Sequence, residues 1–357
     1  MPPTSTYPSA VSDSLPPRPS PPAAMVAEAF DVGRPVEPLT HHRWVGQEAW
    51  TFSTMTGRFL VVRLWAGPDP AWRAQVEEAM DLERRAQEAG VAMLTPVEPQ
   101  EPAFGFAARV HGFGVFRVYE WVDHRPLDRE DDVAEWLGTT LALLHRLRPL
   151  DTTPQPQGYG LYPPAHWHAW LAEGEAQGRS WASPLRDHLA GILRASTQVA
   201  EAFSAGKPHV VTHRAVEPSR VVMTDGGPLL LGWDAVGPDS APLEAAHAIV
   251  EFATVGWTEP DADRVHRASR AYATAGGATL RPGPAALARW VGRRLEWLGA
   301  CLDVTLGLRH PVPAELADMD QARLDAHVRE EVETFPALVD TMARWSALVG
   351  DSSGSTD

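Results

Sequence analysis

The chain has 357 residues, 44% hydrophobic and 22% charged, with a formal net charge of −15 at pH 7 and one cysteine. Such a length suffices for one large domain or two packed lobes, and the composition is that of an ordinary soluble globular protein. The acidic balance argues against nucleic acid or anionic membrane as partner, and the single cysteine excludes an internal disulfide. No apolar run reaches the ~18 residues of a membrane helix, so a cytoplasmic protein is expected.

Residues 1–24 hold eight prolines and five serines without apolar periodicity, which predicts a disordered arm. The run WTFSTMTGRFLVVRLW from Trp50 is two β-rich arms around Thr56-Gly57, a hairpin pattern. AWRAQVEEAMDLERRAQEAG follows as a helix, with Gly90 where a C-terminal cap is expected. FGFAARVHG and GVFRVYEWV then read as two further strands, so residues 25–121 form a small sheet crossed by one helix.

From residue 122 to 349 the pattern turns helical. DDVAEWLGTTLALLHRL spaces Val133, Trp136, Leu137, Leu141, Leu144 and Leu147 for one helix face, with Asp131 or Asp132 able to cap it. Residues 183–203, 242–256, 260–275, 284–308 and 317–348 are likewise helical. The exception is 209–233, where HVVTHRAV, RVVMT, DGG and LLLGW read as strand, turn, strand, tight turn, strand. The fold class is α+β, with a β-rich first lobe, a larger helical second lobe and a flexible tail over 350–357. Most of the 14 tryptophans, Trp167 and Trp170 included, sit at core spacing, and Cys301 lies on an apolar helical stripe as a packing thiol. Lys207 is the only lysine, so any lysine-dependent chemistry has one candidate.

Residues 209–238 carry the functional question. His213, Arg214, Ala215, Val216, Glu217, Pro218, Ser219 and Arg220 form a loop, and Leu231, Gly232, Trp233, Asp234, Ala235, Val236, Gly237 and Pro238 a strand end. Together these resemble the aminoglycoside phosphotransferase and choline kinase family, whose loop is like H-G-D-L-H-P-G-N and whose strand end is like I-D-W-E followed by A-G-P. The resemblance spans roughly residues 40–310 and implies a two-lobed protein-kinase-like fold with ATP-dependent phosphoryl transfer. It also implies a phosphate-holding base at Arg63 with Glu78 as partner. A nucleotide-binding hinge falls at Glu120, Trp121 and Val122, in VYEWVDHRPL. The LLHRL run with His145 and the PLEAAHAIVEF run with Glu244 are similar to two further family segments.

The chemistry of that family is missing at three positions. Phosphoryl transfer relies on Mg²⁺ bridging phosphate oxygens and on a carboxylate orienting the attacking hydroxyl. By the resemblance, Ala215 stands in place of that carboxylate, and an alanine accepts no proton. Arg220 replaces a metal-binding asparagine and Gly232 a metal-binding aspartate; one offers only donors and the other no side chain, whereas Mg²⁺ requires hard oxygen ligands. Three readings follow. Glu217 and Asp234 can act as substitute carboxylates; Arg220 and Arg63 can bind phosphate directly through their forks; or Arg220 pairs with Glu217 or Asp234 in a filled relic. His213 is expected to hold backbone geometry, and no zinc spacing occurs.

The expected function is a catalytically impaired phosphotransferase-like protein, a pseudokinase acting as a binding or regulatory partner, with a protein, peptide or small molecule as ligand between the lobes. The resemblance also points to specialised-metabolite or peptide-modification pathways. No cofactor is expected, with ATP and Mg²⁺ only where nucleotide binding survives. The alternative is an active phosphotransferase on a small hydroxyl or amine compound, or on peptide Ser or Thr, using the substitute carboxylates.

Overall fold

A computed structural model describes residues 19–44, 47–64, 70–256, 259–309 and 312–349. The proline-rich arm before residue 19 and the tail from 350 lie outside the described residues. The first elements are helix α1 (Ala23–Phe30), strands β1 (Thr40–Trp44), β2 (Gln47–Ser53) and β3 (Arg58–Leu64), helix α2 (Pro70–Glu88), and strands β4 (Ala108–Val110), β5 (Gly114–Glu120) and β6 (Arg125–Pro126). Helices α3 (Ala134–Leu147), α4 (Pro164–Ala176) and α5 (Ala182–Ala205) precede strands β7 (His209–Thr212), β8 (Val221–Thr224), β9 (Gly227–Leu230) and β10 (Gly237–Ser240). Helices α6 (Ala241–Ala253), α7 (Ala262–Thr274), α8 (Ala288–Thr305), α9 (Ala314–Ala317) and α10 (Gln321–Trp345) follow. The architecture is α+β, and no helix among the described residues is long and apolar enough to cross a membrane.

The chain divides into two compact units. One contains the described residues up to Asp131 together with Val211–Gly237, and the other Asp132–Val210 and the described residues from Pro238 onward. Sequence order alone puts 211–237 with the helices. The structure puts it with the sheet because Val222 and Leu231 join the apolar cluster of Leu60, Val62, Met80 and Tyr119. The Leu230 N–H also donates to the carbonyl of Ala92 at 2.9 Å.

In the first unit, β1–β2–β3–β5–β4 form an antiparallel sheet, and β6–β8–β9 a smaller one. The expected β2–β3 hairpin is present, with Ser53 opposite Arg58 and the Thr54 N–H donating to the Gly57 carbonyl at 2.8 Å. Helix α2 ends as expected, with Gly90 at φ +87° and the Val91 N–H bonded to the Ala86 carbonyl at 2.9 Å.

Both faces of the sheet are covered. On one, Trp50, Phe59, Val61, Phe116 and Val118 pack against Val26, Ala27 and Phe30 of α1. On the other, Ala49, Leu60, Val62, Val115 and Tyr119 pack with Met80 of α2 and with Val222 and Leu231. Helix α1 begins inside the stretch expected to be an arm, because Val26, Ala27 and Phe30 share one helical face and bury it on the sheet.

The second unit is helical. Fully buried Trp167, Trp170 and Trp181 fill its core, and the Trp170 indole donates to Asp303 at 2.8 Å. Helix α6 is capped by Ser240, whose hydroxyl accepts from the Leu243 N–H. Two buried polar groups are internally satisfied. Asp239 accepts from Tyr159 at 2.5 Å and from Arg289 at 3.0 Å, and His145 lies between Tyr272 at 2.8 Å and Glu244 at 3.0 Å. His145 is therefore a packed, hydrogen-bonded helix residue. Cys301 is buried, which pushes its thiol well above the usual range and keeps it an unreactive packing group.

Candidate functional site

The loop after β7 and the end of β9 are joined by backbone and side-chain bonds within the first unit. The Leu231 N–H donates to the Arg220 carbonyl at 2.8 Å, setting Arg220 beside Gly232. His213 is fully buried, and its Nδ1 accepts from the Ala215 N–H at 3.3 Å. The proton therefore sits on Nε2, which donates to the Leu231 carbonyl at 3.2 Å. Its ring meets Trp233 edge-on with centroids 4.8 Å apart. His213 thus ties the loop to the strand end. Arg214, next to it, has φ +62°, a left-handed backbone that costs a non-glycine residue of order 1–3 kcal/mol.

Arg220 lies at the centre of the site. The residue is 4% exposed, and its guanidinium donates through Nη1 to Asp234 Oδ1 at 2.8 Å and to the Gly232 carbonyl at 2.9 Å, and through Nε to Glu217 Oε1 at 3.4 Å. Ser219 adds a hydrogen bond to the same Glu217 oxygen at 3.1 Å. Burial opposes ionisation of Asp234, but the Arg220 charge prevails and holds this carboxyl below its ordinary range. The guanidinium is likewise held charged by Asp234 and Glu217 against the cost of its own burial.

Gly232 and Arg220 are sterically coupled. A Cβ built on Gly232 would lie 2.2 Å from Arg220 Nη1 and 3.2 Å from its Cζ, and Gly232 itself sits at φ +74°. Any side chain at 232, a carboxylate included, therefore competes with the arginine for the same space. Ala215, 5% exposed, adds only a packed methyl group.

The second half of the sequence-derived site is arranged differently from expectation. Arg63 projects from β3 onto the α1 face, over the rings of Trp50 and Phe116 at 5.0 and 5.3 Å. There it donates to Glu48 at 2.6 Å and to the Pro19 carbonyl at 2.7 Å. Helix α2, which carries Glu78, packs on the opposite face, so Arg63 and Glu78 are not a pair and Arg63 faces away from Arg220. The reason is the strict side-chain alternation of a strand: Leu60, Val62 and Leu64 point to α2, and Phe59, Val61 and Arg63 to α1.

The ion pair on the α2 face is made instead by Glu83 and Arg117, 0% and 4% exposed, with Arg117 Nη1 3.3 Å from Glu83 Oε2. Arg117 lies on β5 directly opposite Val62 of β3. Burial pushes the Glu83 carboxyl up to about 7 despite the Arg117 charge, and Asp234 raises it further through space. Neither residue was a candidate from the sequence. The signal was there: Glu83 interrupts the stripe Ala79, Met80, Leu82, Ala86 of α2, and Arg117 interrupts the apolar run of β5.

Glu120, Trp121 and Val122 lie where β5 ends. The Glu120 N–H donates to the Thr95 carbonyl and the Trp121 N–H to the Arg58 carbonyl, both at 2.9 Å. His124 Nδ1 is 2.8 Å from the Val122 carbonyl, the Trp121 indole donates to Asp123 at 2.8 Å, and Arg58 covers the Trp121 ring at 4.4 Å. These backbone groups are engaged within the chain.

A family model described as phosphotransferase enzyme family matches residues 44–287. The chain belongs to this family. Solved structures agree on the fold. An aminoglycoside phosphotransferase from Alicyclobacillus acidocaldarius superposes with a TM-score of 0.57 at 17% identity, covering 93% of this chain and 99% of that one. A spectinomycin phosphotransferase, solved with ADP and spectinomycin, gives a TM-score of 0.56 at 12% identity over 85% of this chain and 94% of its own. A choline/ethanolamine kinase family protein from Mesorhizobium loti gives 0.55 at 15% identity over 91% and 98%. No curated protein matches the chain.

As a phosphotransferase-family donor set these residues do not suit Mg²⁺. Gly232 and Ala215 bring no side-chain oxygen, and Asp234 Oδ1, Glu217 Oε1 and the Gly232 carbonyl already accept from a guanidinium whose charge would repel a cation. Among the described residues no group of three or more His, Cys, Asp or Glu has the arrangement of a metal site.

Proposed function

We propose that this member of the phosphotransferase family does not transfer phosphate by a metal-bound nucleotide and acts instead by binding, as a regulatory or recognition partner for a protein, peptide or small molecule. One observation carries the reading: the Arg220 guanidinium takes up Asp234, Glu217 and the space beside Gly232 at once. The two carboxylates that could replace the lost base and metal ligands are the two that this arginine holds. A general base is worth about 10²- to 10⁴-fold in rate, and a carboxylate pinned in an ion pair is poorly placed to act as one.

The test is isothermal titration of the full chain with ATP and with GTP, each in Mg²⁺ and in EDTA, together with a phosphate-release assay. The expected result is no metal-dependent heat and no turnover above buffer. Binding that requires Mg²⁺, and turnover lost in Asp234→Asn or Glu217→Gln, would establish the substitute-carboxylate enzyme instead.

A further inference from the structure

The segment that leaves β5 turns one side chain back onto the sheet. Residues 121–124 form neither helix nor strand, yet the Trp121 indole packs on the apolar cluster of Ala49, Leu60, Val62 and Tyr119, the face that Met80 of α2 also covers. His42 stands on that same face, because its partner Ala49 on β2 is paired in turn with Val62 on β3; Arg58 joins it, two residues before Leu60. Four groups then surround the indole. Arg58 Cζ lies 4.4 Å from the ring centroid, the His42 ring meets it edge-on at 5.1 Å, His124 is tilted against it at 4.9 Å, and Asp123 Oδ1 accepts its N–H at 2.8 Å. Burial, followed by the nearby charges of His124, Arg58 and His41, holds the His42 imidazole below its ordinary range, so at neutral pH it meets the indole uncharged.

An apolar floor, a cation over a ring face, an aromatic edge and one acceptor for a ring N–H are the parts of a binding site. We infer that Arg58, His42, His124 and Asp123 form a receptor for a flat heteroaromatic ring of indole size bearing an N–H donor, and that Trp121 is the chain's own ligand, keeping this receptor closed. The way the indole is carried supports this role over ordinary core packing. Its segment is irregular and its neighbours Val122 and Asp123 are exposed, so the ring is held by the receptor contacts and by the Trp121 N–H bond to the Arg58 carbonyl. An outside ring competes with the indole for one place. The affinity of the wild type is therefore that of the open receptor reduced by the fraction of time the indole is away.

The probe is fluoroindole, followed by fluorine NMR line width against the full chain, in which the 14 tryptophans are silent. It carries neither phosphate nor metal, so its result stands apart from the nucleotide titration of the proposed function. Trp121→Ala is expected to bind fluoroindole about tenfold or more tighter than the wild type, because the competing indole is gone. Adding Arg58→Met or His42→Ala to Trp121→Ala is expected to weaken that binding about threefold or more. Equal binding by wild type and Trp121→Ala overturns the inference, and so does binding in Trp121→Ala that is indifferent to both second substitutions. Should Trp121→Ala fail to fold, Trp121→Leu leaves a smaller apolar side chain in place, and the same rise over wild type and the same dependence on Arg58 and His42 are required of it.

Discussion

Replacing Gly232 with alanine puts one methyl group where the Arg220 guanidinium lies, 2.2 Å from Nη1 and 3.2 Å from Cζ. Two costs add. The backbone at φ +74° is left-handed, which charges a residue with a Cβ roughly 1–2 kcal/mol. Moving Arg220 breaks its bonds to Asp234 and to the Gly232 carbonyl. Removing one partner of a buried pair costs about 3–5 kcal/mol, and because the arginine is displaced rather than deleted, about 2–3 kcal/mol is the fitting share. The expected loss is thus about 4 kcal/mol in the wild type but only about 1–2 kcal/mol in an Arg220→Ala background, where the space is open. Urea unfolding followed by tryptophan fluorescence and far-UV circular dichroism measures both, with midpoints and slopes compared across the four proteins. Equal costs in the two backgrounds would refute the steric coupling of residues 220 and 232. By the same reasoning Gly232→Asp is disruptive alone and is partly rescued by Arg220→Asn, whose shorter side chain vacates the site.

Two further perturbations separate the faces of the sheet. Glu83 has a folded-state carboxyl pushed up to about 7 from 4.5, so the native state keeps a proton that the unfolded chain releases, and stability falls as pH rises between these values, by about 3 kcal/mol in all. The groups facing it are Arg117, Tyr119, Asp234 and Arg84. Glu83→Gln should flatten this dependence in urea midpoints taken from pH 4.5 to 8; an unchanged slope would assign the titration to another group. On the opposite face, Arg63→Met removes the donors to Glu48 and the Pro19 carbonyl. Thermolysin cleavage at buried Val26 and Phe30 should then accelerate by about tenfold as α1 detaches more often, and an unaltered rate would show that apolar packing alone retains the helix.

What the sequence revealed and concealed follows from how each signal arises. The β2–β3 hairpin, the Gly90 end of α2 and the 209–233 strand–turn–strand pattern depend on local chain chemistry, and all are present. The mutual position of Arg220, Glu217 and Asp234 was also legible, because loop and strand end are held by short-range backbone bonds; of three arrangements open for Arg220, the structure contains the ion pairs. The face of Arg63 was not legible. A strand with one wet face alternates visibly, but β3 is buried on both sides after its first residue, so every position reads apolar and one charge shows no side. That second cover is α1, part of which lay in the stretch expected to be an arm. Glu83 was hidden among Glu77, Glu78 and Asp81 on one helix, where only the phase of the apolar stripe distinguishes the inward acid from the outward ones.

The unit that contains the sheet is discontinuous in the chain: its residues up to Asp131 are completed only by Val211–Gly237. A ribosome adds about 5–20 residues each second, so the Asp132–Val210 stretch of the helical unit emerges over about 4 to 16 s while the first part waits with the places of Val222 and Leu231 open. During that interval Leu60, Val62 and Met80 lack two of their final neighbours. The nascent sheet therefore carries an incomplete apolar face until residue 231 has emerged, and a fragment ending at residue 131 lacks the same neighbours permanently.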